Sequence, residues 1–306
     1  MIIADTLSQP RTVASLLPSD RLLWVALTVI AACLPPLEHL LSLNITGLPQ
    51  VLAIAAAILA LRAVYLAVRP GAQVVHRLLE NWAGIIAYTA IVAPVSYLCA
   101  RNSRPLFNDA LLAADRWLGY DWHAWADFEN GTPAIALVLR LAYASLLPQT
   151  VLVLTILPLV GDGRRGFSLI RASLIAVIIA CAGSWVLPSA MPEAGNTSWY
   201  AHWSALRTTA PFAIPLSDVE GVIGFPSFHA SAAILMLYAV RGLGALTVGF
   251  CVVELLMLVS TTTYGVHYFF DVVAGIIVAV FAIWLTSRLD RMFPVREPGV
   301  MVNRLV

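Results

Sequence analysis

The chain has 306 residues, 60% of them hydrophobic and 11% charged, with a formal net charge of +1 and a mean hydropathy of +0.85. Soluble domains carry roughly 25% charged residues, so this composition excludes an ordinary water-soluble domain and indicates a chain built into a membrane.

Residues 1–20 are polar and include Pro10 and Pro18. They lack the apolar core and cleavage site of a secretory signal, so the first helix is expected to be retained. Eight apolar stretches follow, at about 22–42, 48–68, 81–100, 133–159, 167–187, 227–241, 243–262 and 266–287, at or near the roughly 20 residues that a bilayer-spanning helix needs. Some are rich in Val and Ile, but backbone groups in lipid must be satisfied within the segment, so helices are expected rather than strands. The predicted fold is all-α, a polytopic bundle of about eight transmembrane helices.

Two longer connections, about 101–132 and 188–226, fall on one face if the helices alternate in direction. The first sets Asp109, Asp115, Asp121, Asp127 and Glu129 among Trp117, Tyr120, Trp122 and Trp125, a pattern suited to an interfacial stretch with aromatic anchors. The second carries Pro188, Pro192, Pro211 and Pro215 with Trp199, Tyr200 and Trp203. It is too interrupted for a long helix and is expected to form a lid or wall.

All 18 basic residues are Arg. Alternation puts Arg11, Arg21, Arg69, Arg77, Arg164, Arg165, Arg241, Arg288, Arg291, Arg296 and Arg304 on the side of the amino terminus and leaves Arg101, Arg104, Arg116 and Arg207 opposite. The Arg-rich side is therefore expected to be cytoplasmic, with both termini inside. The absence of Lys and the bias to Ala, Val, Leu and Arg suit a bacterial chain, in which the two long connections would face the periplasm from the inner membrane. Cys33, Cys99, Cys181 and Cys251 show no metal-ligand spacing and are expected to be small buried packing residues.

Two clusters carry the candidate chemistry. Gly224-Phe225-Pro226-Ser227-Phe228-His229-Ala230 stands where the sixth apolar stretch starts. Free N–H groups at a helix start, with the Ser227 hydroxyl, suit an anion, and His229 would face it. In the second cluster His267 and Asp271 are four residues apart at the start of the last stretch. On a helix that spacing stacks them on one face, so the carboxylate orients the imidazole and leaves one nitrogen free as a nucleophile. Arg104-Pro105 falls on the same side. An Arg, two His and an Asp at one membrane depth are costly unless they serve a ligand, and a phosphate is the natural one.

These residues resemble the type 2 phosphatidic acid phosphatase superfamily, whose motifs run Lys-x6-Arg-Pro, Pro-Ser-Gly-His and Ser-Arg-x5-His-x3-Asp, over roughly residues 81–287. Here the second motif reads Pro226-Ser227-Phe228-His229, the third keeps Ser260, His267 and Asp271 with Thr261 in the Arg position, and the first keeps Arg104 and Pro105 with Tyr97 in the Lys position. The pattern is most similar to the inositol phosphorylceramide and sphingomyelin synthase branch, which lacks the third-motif Arg.

The resemblance implies a six-helix catalytic core at 81–287, preceded by 1–80 with two added transmembrane helices and followed by a cytoplasmic tail, 288–306. It implies a phospho-histidine on His267, oriented by Asp271, with His229 as proton carrier and Arg104, Ser227 and Arg101 as phosphate ligands. No metal or cofactor is called for. The implied activity is transfer of a phosphate-bearing head group from a phospholipid donor to a lipid hydroxyl. The alternative is hydrolysis of phosphatidate or polyprenyl diphosphate, with water as acceptor; the expected partners are membrane lipids and not nucleic acid. A transporter is a further alternative, but the Pro and Gly breaks do not recur at corresponding positions in two halves. Glu254 is expected to pair with Arg140 or Arg171 or to be a simple polar side chain, and His123 and His202 to be exposed at the interface.

Overall fold

The structure, a computed structural model, describes residues 18–190 and 198–292. Its helices are α1 (Pro18–Leu40), α2 (Leu48–Val68), α3 (Gln73–Ala100), α4 (Asn108–Trp117), α5 (Trp122–Asn130), α6 (Pro133–Ala144), α7 (Leu146–Leu159), α8 (Gly163–Val186), α9 (Ser198–Leu206), α10 (Phe228–Val240), α11 (Ala245–Ser260) and α12 (Phe269–Met292). The chain is an all-α polytopic membrane bundle. Every predicted apolar stretch is helical, with two differences.

The stretch at 133–159 is not one straight helix. It breaks into α6 and α7 at a 54° bend. Pro148 has no N–H for the carbonyl of Ala144 and its ring crowds that carbonyl, while the Ser145 hydroxyl takes the Ala142 carbonyl at 2.6 Å. Second, α1, α2, α3, α8 and α12 are each long and apolar enough to cross a membrane, and the bent pair makes a sixth span. By contrast, α10 and α11 have only 13 and 16 residues, about 20 and 24 Å of helix against roughly 30 Å of hydrocarbon. The missing length is supplied by the non-helical segments 221–227 and 261–268, both largely buried in protein, where irregular backbone is tolerated at membrane depth.

At the centre α8, α10 and α12 pack on one another and α3 packs on α8; α1, α2 and α7 lie against α3, and α11 against α10 and α6. The contact faces are rich in small residues, Ala83, Gly84, Ala87 and Ala90 on α3 and Ala172, Ala176 and Ala180 on α8, all buried. Small residues let backbones approach closely, which is how helices gain contact where lipid offers no hydrophobic drive. Residue 81, where the catalytic unit was expected to begin, lies inside the continuous α3.

Strands β1 (Leu43–Thr46) and β2 (Phe212–Pro215) form a two-stranded parallel sheet, Leu43 opposite Phe212. It joins the α1–α2 connection to the second long connection, a pairing that helix-length patterning does not reveal. At the other end of the bundle Arg77 bonds Glu80 at 2.8 Å and Asp20 at 3.4 Å, Arg62 lies 3.7 Å from Glu80, and Arg171 lies 3.6 Å from Asp20 and against Asp290. Glu254 therefore does not pair with Arg171, and neither of its buried carboxylate oxygens has a hydrogen-bond partner. Of the cysteines only Cys181 is buried; Cys33 and Cys251 are on the outer surface and Cys99 is intermediate. The expectation of four buried cysteines is corrected because an apolar helix in lipid need not turn its Cys inward.

Candidate active site

His229 is the second residue of α10. Ser227 caps that helix, its Oγ accepting the Ala230 N–H at 3.4 Å, and its own N–H donates to the Asp271 carbonyl at 3.1 Å. Ser231 Oγ donates to the Gly275 carbonyl at 2.7 Å. A Cβ on Gly275 would collide with the Ser227 carbonyl and stand 3.0 Å from the Ala230 Cβ. Only glycine allows this approach, so the first turns of α10 and α12 are fixed against each other.

His267 is not on a helix, contrary to the expected stacking on one helical face. α12 begins at Phe269, and Val266 has φ 49°, a left-handed value that no helix accommodates and that is unusual for a β-branched residue. The predicted pair forms by another route. Asp271, at the third position of α12, turns its carboxylate back: Oδ2 accepts the Tyr268 N–H at 3.2 Å, capping the helix in the manner of an acidic N3 residue, and lies 3.3 Å from His267 Nδ1. Nδ1 faces the carboxylate, so Nε2 is the free nitrogen. Asp271 Oδ1 is buried without a hydrogen-bond partner.

The first long connection clamps the loop that carries His267. Asp115 accepts the N–H groups of Phe269 and Phe270 at 2.9 and 2.8 Å. Burial raises its carboxyl above the usual range, while these two bonds pull it back. The hydroxyl of Tyr120 donates to Thr262 Oγ1 at 2.7 Å, its ring stacks on Phe269 at 4.9 Å, and burial pushes its phenol up to about 12. Trp122 Nε1–H donates to the Thr262 carbonyl at 2.8 Å and Tyr264 to the Ala136 carbonyl at 2.8 Å. Aromatic anchoring was the expected role of this stretch; here Tyr120 and Trp122 also brace the loop. The free N–H groups at the start of α12 are taken by Asp115 and Asp271 and are not open to an anion.

His229, His267 and Asp271 line one cavity of about 80 Å³, with Tyr143, Ser189 and Tyr268 in its wall. That volume holds a group larger than one water, which needs roughly 10–15 Å³. Tyr143 stacks on the His229 ring, centroids 4.3 Å apart and planes at 20°, and its hydroxyl lies 3.4 Å from His229 Nδ1. Ser189 Oγ is buried and has no hydrogen-bond partner. A Cβ on Gly265 would stand 2.5 Å from the Thr261 carbonyl and 2.9 Å from the His267 ring, so the loop folds this tightly only with glycine there.

The other predicted ligands are not in this wall. Ser227 is buried at the α10 cap, two residues before His229. The Arg104 guanidinium lies over Trp185, 4.0 Å from the ring centroid, and Arg207 holds the Arg104 carbonyl. Arg101 is spent on loop carbonyls, Nε to Leu41 at 2.9 Å and a terminal nitrogen to Ala210 at 2.5 Å. Among the described residues, none lining the cavity is an Arg. Arg104, expected as a phosphate ligand, is not among the described lining residues, whereas Ser189, Ala190, Trp199, Gly221, Ile223 and Gly224 of the second long connection, expected to form a lid or wall, are. His202 is not merely exposed; its Nδ1 pairs with the Tyr97 hydroxyl at 2.9 Å, and His123 packs edge-on against Trp122.

A family model described as the PAP2 superfamily matches residues 109–285, more than half of the chain and the whole of the clamp, both histidines and Asp271. The chain belongs to the PAP2 superfamily. No curated protein and no solved structure matches it. Membership of the PAP2 superfamily makes the chain a membrane enzyme of the phosphatase and phosphotransferase class, acting on lipid phosphates. The matched region starts beyond Arg101 and Arg104, and α1–α3 stand outside it. Tyr143, Ser189 and Asp115 escaped sequence reasoning. Asp115 was one of several acids in a loop, and Tyr143 and Ser189 carry no motif.

Proposed function

We propose that this PAP2 enzyme transfers a phosphate-bearing head group from a phospholipid to a lipid hydroxyl through a phospho-histidine on His267. The observation that carries the reading is the cavity's charge: two histidines, one carboxylate and a free serine hydroxyl, with no guanidinium among its described lining residues. A phosphomonoester or diphosphate carries more negative charge than a phosphodiester, and without a fixed cation the extra charge is poorly offset. A phosphodiester phospholipid, with a single negative charge on phosphorus, fits this wall better.

His267 Nε2 attacks phosphorus in line as the bond to the diacylglycerol oxygen breaks. The attack leaves a positive imidazole that Asp271 balances. His229 donates its proton to the departing oxygen. In the second half His229, now neutral, takes the proton of the incoming hydroxyl, the new P–O bond forms, and the P–N bond breaks to restore His267. Ser189 Oγ donates to a non-bridging oxygen, the role first expected of Arg104. On the Arg distribution the cavity opens to the extracytoplasmic face of a bacterial inner membrane.

A second reading, hydrolysis, has its own support: Tyr268 lines both this cavity and a polar pocket of about 600 Å³ that carries Asp109, Arg116 and Asp121, a route for water. Purified protein in detergent, given a head-group-labelled phospholipid and ceramide or diacylglycerol, is expected to form head-group-exchanged lipid faster than it releases phosphate or free head group. Release alone overturns transfer. Activity retained in His267→Ala removes the nucleophile.

A further inference from the structure

A third cavity, of about 510 Å³, lies between α3, α6–α7, α8 and α10 within the bundle, in the size range of small-molecule sites, about 300–1,000 Å³. Among the described residues no Arg, Asp or Glu lines it. Its two threonine hydroxyls are turned to neighbouring backbone: Thr89 donates to the Ile85 carbonyl at 2.9 Å and Thr150 to that of Leu146 at 2.8 Å. Apart from Tyr88, Tyr143, Ser173 and His229 the remaining wall is hydrocarbon, including Leu147, Ala232 and Met236. The bend at Ser145 lies in this wall, with Ala144 and Leu146 on either side of it.

Tyr143, Phe228 and His229 line this cavity and the catalytic one alike. The apolar space therefore continues the active site on the side of the proton-carrying histidine. The polar pocket joins at Tyr268, next to His267. Apolar surface at one end and carboxylates with an Arg at the other match the two ends of a phospholipid held across the reacting phosphorus.

We propose that the apolar cavity receives a hydrocarbon chain of the lipid whose oxygen His229 serves, the departing lipid in the first half-reaction and the acceptor in the second. The inference rests on the transfer reading above. A chain gains little hydrophobic free energy on moving from bilayer to cavity, since both are apolar. The slot therefore acts by shape and by placing the oxygen beside His229, so its effect falls on reactivity with chain length more than on raw affinity.

Two measurements on the full-length protein in detergent test this. A diacylglycerol carrying a photoreactive diazirine in one acyl chain is expected to label the α7 and α10 lining, at Leu147 and Met236, with competition by unlabelled diacylglycerol. In the second, Ala232→Phe narrows the slot and Leu147→Trp, at an exposed position, narrows its mouth. Each is expected to lower kcat/KM for a long-chain acceptor about tenfold while a four-carbon-chain acceptor changes less than twofold. Labelling confined to residues outside the lining, or equal effects of both variants on long and short acceptors, overturns the slot. Labelling needs no turnover, so slot labelling with no exchanged lipid would refute transfer and leave the chain site standing.

Discussion

Asp271 is the residue on which the nucleophile depends. Its carboxylate can only accept, so Nδ1 of His267 must carry the proton and Nε2 the lone pair. Asp271→Asn keeps the shape but offers an amide donor, which favours the opposite tautomer. The expected loss in kcat is about 10³- to 10⁴-fold, the scale seen when a carboxylate that orients a histidine is amidated, with circular dichroism and elution volume unchanged. Tyr143 does the equivalent for His229: its hydroxyl oxygen accepts Nδ1–H of the imidazolium and so holds Nε2–H toward the leaving oxygen. Tyr143→Phe keeps the stacked ring and removes that bond. We expect kcat to fall about tenfold, the rate equivalent of one hydrogen bond of roughly 1.4 kcal/mol, with the basic limb of the pH–rate profile, where the acid loses its proton, displaced to lower pH. An unchanged profile would limit Tyr143 to packing.

At the scale of elements, the site depends on two buried irregular segments, 221–227 and 261–268, held where α10 and α12 begin. Backbone N–H groups at those starts must find partners, and in this fold Ser227, Asp115 and Asp271 provide them. Asp115→Ala leaves the partly buried N–H groups of Phe269 and Phe270 without their acceptor, at about 1 kcal/mol each. The variant should melt at lower temperature in detergent and lose activity together with stability, whereas Asp115→Asn, which retains one acceptor oxygen, should fall between it and the parent. A parent-like melting temperature for Asp115→Ala would show that the clamp does not hold α12. The apolar pattern placed these helix starts at about 227 and 266, before the observed Phe228 and Phe269, yet the left-handed turn at Val266 was invisible because a β-branched residue is among the least expected there.

At the scale of the molecule, one ionic network ties α1, α2, α3, α8 and α12 together. The first two helices are thus joined by charge to the helices that carry the site. Asp20→Ala strips one partner from both Arg77 and Arg171. Because Glu80 and Asp290 remain, the expected cost is about 2–3 kcal/mol, below the roughly 3–5 of a fully orphaned buried ion. It should be read as a lower melting temperature with kcat nearly intact, and a parent-like melting curve would mean the network adds nothing to the fold.

By itself the sequence determined the membrane class and the eight helical stretches and singled out His229, His267 and Asp271 as candidates, because hydropathy and short spacings are local properties that survive without tertiary context. The tertiary structure alone decided what surrounds the triplet. Tyr143 meets His229 across 86 residues and Asp115 meets Phe269 across 154, separations at which no spacing rule operates. It also decided where the arginines go: Arg101 and Arg104 sit on the expected side of the bundle, but loop carbonyls and Trp185 hold them away from the cavity. A motif reports which side chains are available at a given depth; packing determines which of them turn inward.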